Sequence, residues 1–239
     1  MRKSILAPAL WLLTGTAAAA LSAPLQAQTK VGQSAEADQI DQAWHAIDSK
    51  QPAQAVQILD RVIAAEDQAH RGDKRRIYSA DSPTESLAYA AIGAKEGKDT
   101  VVLGPEWSKA VFLKGFALID LDRSDEAKPL FDRALELSPL NAQFLGEVGE
   151  WHKARHDWDK AFDFFKRAEA ASGFMPDETL QKFHLRRALR GQGYVLIERG
   201  KLDEAEALFK RSLTIDPNDD HAKSELDYIA EQRAKRETN

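Results

Sequence analysis

The chain has 239 residues, with 33 Lys and Arg, 38 Asp and Glu, 43% hydrophobic residues and no cysteine. A formal charge of −5 argues against nucleic acid as a partner, because that binding needs a basic face. The hydrophobic content excludes a natively disordered chain, and the lack of cysteine excludes disulfides, thiolate zinc sites and cysteine nucleophiles.

Residues 1–27 carry the three parts of an export signal. Arg2 and Lys3 form a positive start, and no charge falls between 5 and 23. Leu10, Trp11, Leu12 and Leu13 lead into four alanines, and Leu25-Gln26-Ala27 ends in a small residue at the expected cleavage point. The alternative is a retained membrane anchor, against which Pro8 and Gly15 weaken the span. Cleavage removes two cations and takes the formal charge from −5 to −7. The expected destination is the periplasm of a Gram-negative bacterium, with no membrane insertion after cleavage. Residues 28–35 read as a flexible N-terminus ahead of a single helical domain over 36–236.

The segment 36–69 predicts a helical hairpin. Its first helix runs through Ile40, Ala43, Trp44 and Ile47, and its second through Ala55, Leu59 and Val62. An irregular insert follows over 70–106 and takes the place of a repeat. It opens on a basic loop, Arg71-Gly72-Asp73-Lys74-Arg75-Arg76. A helix starts at Ser82-Pro83-Thr84-Glu85, where Ser82 caps, Pro83 fills the first turn and Glu85 completes a capping box. Extended runs at 76–80 and 100–103 are candidates for two short paired strands.

Three stretches then share one ruler. The first has Gly115, Ala127, Phe131, Ala134 and Pro139; the second Gly149, Ala161, Phe165 and Ala168; the third Gly193, Ala205, Phe209, Ser212 and Pro217. Glycine to alanine is 12 residues and alanine to phenylalanine 4 in all three, and the first two copies lie 34 apart. Small residues let antiparallel helices approach, and each phenylalanine is expected to fill the gap toward the neighbouring repeat. The turns at 122–125, 156–159 and 200–203 each offer a polar residue as N-cap. The third copy is displaced by ten residues, which predicts a lengthened helix over 177–199. Asn218 is expected to cap a last helix, about 218–235, with Ala222, Leu226 and Ile229 inward and a charged outer face. Asp216, Asp219 and Asp220 read as capping and solvation.

These residues resemble the tetratricopeptide repeat, whose pattern is W-x2-L-G-x2-Y…A-x3-F…P over 34 residues. The resemblance covers roughly 108–217, with aliphatic residues or His in place of the Trp and Tyr. It implies an all-α, right-handed superhelical solenoid with repeats at about 36–69, 108–141, 142–175 and 186–219. Such stacks bind another protein or peptide on the concave side lined by the first helix of each pair.

No catalytic or metal set stands out. His152 and His156 have zinc-like spacing, but Lys153 occupies the place of a catalytic Glu, and His156 falls in a turn. Gly191-Gln192-Gly193 lies mid-helix. There is no acid pair that the pattern would bury, so neither enzyme activity nor a cofactor is expected. At about 100° per residue, the concave stripe takes Lys109, Phe112, Phe116 and Ile119 from one repeat. The next gives Gln143, Gly146, Glu150 and Lys153, and the last gives Arg187, Arg190, Tyr194 and Ile197. A surface aromatic at one end and basic at the other suits a peptide with a hydrophobic anchor and acidic groups. The alternative is that the aromatics pack on 70–106 and the charges are merely solvated. Two other roles stay open: an oligomeric subunit of envelope-assembly or secretion machinery, and an enzyme or small-ligand receptor using the insert at 70–106 and a pocket against Trp107. Oligomeric state is not encoded in these patterns.

Overall fold

The computed structural model describes residues 35–237, so the expected export signal and nearly all of 28–35 lie outside the described residues. Four helical hairpins stack in chain order: α1 (Ala35–Asp48) with α2 (Pro52–Ala69), α4 (Glu106–Asp120) with α5 (Ser124–Leu137), α6 (Ala142–Ala154) with α7 (Trp158–Ala171), and α8 (Glu178–Glu198) with α9 (Leu202–Ile215). A final helix, α10 (Asp220–Glu237), covers the last hairpin. Between α2 and α4 come β1 (Arg76–Ser79), α3 (Pro83–Glu96) and β2 (Thr100–Leu103).

The shared ruler is a contact rule. A methyl on Gly115 would lie 2.8 Å from the ring of Phe131, one on Gly149 2.8 Å from Phe165, and one on Gly193 2.7 Å from Phe209. Each ring therefore packs on the glycine of its own hairpin, where the sequence pointed it toward the neighbouring repeat. Phe165 does both: a methyl on Gly191, in the following hairpin, would stand 2.5 Å from it. In the first hairpin the same two places hold Ala43 and Leu59, both fully buried. The larger small residue there is matched by a side chain smaller than Phe, which conserves volume across the helix pair.

Polar N-caps do not make the turns. Arg123, Asp157 and Lys201 form no side-chain capping bond, and neither does Gln51. Instead the preceding residue turns left-handed, with φ of 60° at Lys50, 60° at Asp122, 59° at His156 and 71° at Gly200. The next amide then reaches back five residues: Gln51 to Ala46 at 2.8 Å, Arg123 to Leu118 at 2.8 Å, Asp157 to His152 at 3.0 Å and Lys201 to Leu196 at 2.9 Å. This closes the carbonyls that a helix end leaves open. The first hairpin thus carries the same turn as the other three.

The insert does not replace a repeat. Helix α2 packs directly on α4, and one core runs from Ile40 through Val111 to Val148. Residues 70–106 leave the stack and return as a β-α-β unit with parallel strands, Arg76 opposite Thr100 and Ser79 opposite Leu103. Parallel strands need a crossover, which α3 supplies. Ser82 Oγ accepts the Glu85 amide at 3.1 Å, and Gly97 closes the helix at φ 64°. The Glu85 carboxylate, expected to return to the capping residue, accepts instead from the Asp81 amide at 2.7 Å and from the Tyr89 hydroxyl. Tyr89 stacks on Tyr78 with centroids 4.7 Å apart.

Polar contacts pin this unit along the edge of the stack. Tyr89 Oη accepts from Leu140 N–H at 3.1 Å, Ser138 Oγ donates to the Ser79 carbonyl, and Arg76 Nη2 donates to the Glu136 carbonyl at 3.1 Å. Ser82 Oγ donates to the Phe174 carbonyl at 2.7 Å.

The ten extra residues before the last hairpin form a 3-10 turn, Ser172–Phe174, and extend α8 to 21 residues. Asp177 caps it, accepting from the Leu180 amide at 2.9 Å. At α10 the cap is Asp219, not Asn218: Asp219 Oδ1 accepts from the Ala222 amide at 3.3 Å. Ala222 and Ile229 point inward, with Leu226 partly buried beside them. Among the described residues no helix is long and apolar enough to cross a membrane.

Candidate partner-binding surface

Helices α1, α4, α6 and α8 are the first helices of their hairpins, and their common face is the candidate partner-binding surface. One column on this face follows directly after the small residue of each hairpin. It holds Trp44, Phe116, Glu150 and Tyr194. Trp44 is 38% exposed, one of two exposed large hydrophobic residues among those described. Phe116, Glu150 and Tyr194 are half-buried. Trp44 was missing from the sequence-based stripe because the first hairpin has Ala43 where the others have glycine. Alignment on Ala55, twelve residues on, would have found it.

The remaining candidates are mostly engaged. Phe112 is 2% exposed and does not line an open groove. Its ring stacks on Phe144 of the next hairpin at 4.2 Å and meets Phe131 at 5.5 Å. The junction between hairpins removes more apolar area from water than the groove would. Lys109 is held by Asp81 of the insert at 2.6 Å. Gln143 is half-buried on α6. Lys153 pairs with Glu150, and its ammonium lies 5.0 Å from the centre of the Tyr194 ring.

The basic end is neutralised from within. Arg187 pairs with Glu147 across two hairpins, and both side chains are about 15% exposed. Arg190 pairs with Asp219 at 2.7 Å, where the Asp219 side chain is 1% exposed. Asp219 also accepts from Ser212 Oγ at 2.9 Å, so it is a buried ion-pair member rather than a solvated turn residue. Burial works against its charge, but the hydrogen bonds and charge of Arg190 hold its pKa below the ordinary carboxylate value. His184 beside them is pushed down to about 4 by burial and by Arg187, so it is neutral at physiological pH.

Of the two histidines with zinc-like spacing, His152 is buried and 3.2 Å from Asp157, while His156 turns away in the left-handed turn. Among the described residues no three His, Cys, Asp or Glu side chains gather where they would hold a metal ion. The insert buries one carboxylate, Glu85, which is 2% exposed. Burial raises its pKa, against the lowering effect of its hydrogen bonds from Tyr89 and Asp81. A search for acid pairs passes over it, since it is single and its burial depends on how the insert folds back.

Comparisons with known proteins agree with this architecture. Family models described as tetratricopeptide repeat match residues 112–176 and 186–219. A structure of pilF from Pseudomonas aeruginosa superposes with a TM-score of 0.57 at 14% identity, covering 84% of this chain and 69% of that one. A putative kinesin light chain with nearly identical TPR-like repeats, from Podosopora anserina, superposes with a TM-score of 0.50 at 13% identity, covering 84% of this chain and 96% of that one. Both share the fold. No curated protein matches the chain. The glycine–phenylalanine ruler, the four like turns and the continuous stack give the chain a tetratricopeptide-repeat fold, with the repeat models matched over residues 112–176 and 186–219.

Proposed function

We propose that this protein is an exported, periplasmic adaptor that binds a protein or peptide partner on its concave face, without catalysis of its own. The observation that carries this reading is the column Trp44–Phe116 on adjacent first helices, with Ile119 half-buried one turn beyond. Solvent-exposed aromatic side chains on a preformed rigid face are the usual anchors of protein interfaces. The groove's cations are each matched to a carboxylate of the same chain, so the partner is held by an apolar anchor rather than by acidic groups. The N-terminal residues 1–27 support export, through their charge, apolar run and cleavage pattern.

Affinity capture from periplasmic extract with the wild type and with Trp44→Ser/Phe116→Ser tests the reading. Loss of specific partners in the double variant is the expected result; equal recovery of every partner would overturn it. Fractionation of cells carrying the full chain tests the compartment, with the shortened product expected in the periplasmic fraction.

A further inference from the structure

The β-α-β insert presents a second surface, the outer face of α3. Helix α3 carries no charge from 86 to 94. Its inner face is Glu85, Tyr89 and Gly93, all buried. Gly93 lies hard against β2, where a methyl would come within 2.0 Å of Thr100 Oγ1. The opposite face is Leu87, Ala90, Ala91 and Ala94, all exposed, and Leu87 is 73% exposed. A surface helix normally puts polar residues there; a helix apolar all round is usually covered on both sides.

The C-terminal end of this apolar face runs into a basic cluster. The register Arg76 opposite Thr100 sets the loop 71–75 beside the loop 97–99, and the Arg76 amide donates to the Asp99 carbonyl at 2.7 Å. Arg75 is paired with Asp73 at 2.7 Å and Lys98 with Glu96 at 2.7 Å. Arg71, Lys74 and Lys95 are exposed and have no acidic partner among the described residues. In a chain of formal charge −5, this end of the insert is a local excess of positive charge.

We propose that the outer face of α3 docks an amphipathic helix of a partner protein, with that helix's acidic end lying on Lys74 and Lys95. Three alanines let a second helix approach closely, at the short end of the 8–10 Å range for packed helices, and Leu87 supplies the one large knob. The basic cluster fixes direction through charge complementarity. A two-turn stripe falls short of the roughly 800 Å² per side of a stable interface between folded proteins, which favours a helical segment over a second copy of this chain. A lone Leu among alanines also lacks the broad bulky face with which helices enter lipid.

The test uses the full chain and two fluorescein-labelled helical peptides. Both have a Leu/Ala stripe; one carries three Glu at one end and the other three Lys. Anisotropy should show the Glu peptide binding at least tenfold more tightly than the Lys peptide. Leu87→Glu should weaken it at least tenfold, and Lys74→Glu/Lys95→Glu at least fivefold. Trp44→Ser/Phe116→Ser should leave it unchanged. Leu87 is exposed, so an unchanged melting curve should accompany its loss of binding. No binding of the Glu peptide, equal binding of both peptides, or indifference to Leu87→Glu would overturn the proposal. So would loss in the Trp44/Phe116 variant, which would place the peptide in the concave groove. Dimers dissolved by Leu87→Glu in sedimentation, or Leu87-dependent binding to phosphatidylglycerol vesicles, would assign the face to a second copy or to lipid and likewise overturn it.

Discussion

A methyl group on Gly191 would stand 2.5 Å from the ring of Phe165, closer than any real side-chain contact. Phe165 is fully buried, so the ring has little room to retreat. Gly191→Ala should therefore destabilise the protein by about 1–3 kcal/mol through overpacking, although Ala is the better helix former. Gly146 is the control. It sits inside α6, and a methyl added there would meet nothing within 4 Å from outside its own helix, so Gly146→Ala should stabilise by about 0.5–1 kcal/mol. Urea unfolding of the two variants checks the pair; shifts of the same sign would show that the contact does not govern.

The turns give a second opposed pair. Asp122 adopts φ 60° where the equivalent Gly200 adopts 71°. A non-glycine residue in that region costs about 1 kcal/mol. Asp122→Gly should raise the melting temperature and Gly200→Ala should lower it, each by the equivalent of about 1 kcal/mol. Thermal melts would decide; a drop for Asp122→Gly would mean that its side chain contributes more than its backbone costs.

The buried pair Arg190–Asp219 joins the last hairpin to α10. Asp219→Asn removes the charge and leaves Arg190 uncompensated, at a cost of about 2–4 kcal/mol at pH 7. The Asp219 pKa is lowered in the fold, so its contribution is present above the unfolded value and is lost as pH falls through the folded one. The gap between wild type and variant should shrink as the medium is acidified below the ordinary Asp range. A gap independent of pH would show that the charge is not the source.

Glu85 behaves in the opposite sense. Its pKa is raised from 4.5, so its contribution is full below that value and is lost as pH rises through the folded pKa. The groups facing it are Tyr89, Asp81 and Lys109. Glu85→Gln keeps the acceptor for the Asp81 amide and carries no charge. Relative to wild type, this variant should gain stability between pH 4.5 and neutrality. Unfolding curves at the two ends of that window would test it, and a constant difference would count against buried charge as the cause.

Much of the architecture was legible along the chain, because its rule is one-dimensional. A repeat of 34 residues fixes which side chains recur on one helix face, and the steps from Gly115 to Ala127 to Phe131 state the packing directly. Helix α8 was legible from the ten-residue displacement of the third copy, and the start of α3 from its cap, since Ser82 acts on the Glu85 amide three residues on. How the turns after α4 and α6 close was not legible, because Asp122 and His156 adopt a left-handed conformation that their identity does not advertise. Hydrogen bonding back to the preceding helix enforces it.

The groove was the least legible part. Helical periodicity places Phe112, Arg187 and Arg190 on the concave face, and that alone made them candidates. Whether such a residue is open depends on what the neighbouring hairpin brings: Phe144 for Phe112, Glu147 for Arg187 and Asp219 for Arg190. Those partners lie tens of residues away, at a distance that superhelical packing sets and periodicity does not. By itself the sequence determined a stack of antiparallel hairpins, because local spacing selects which faces are apolar and where small residues let helices meet. Only the tertiary structure decided which of those faces stay open, returned the insert to the edge of the stack and left α3 with an uncovered apolar side. Burial and ion pairing are properties of contacts between elements, and a single helix cannot carry them.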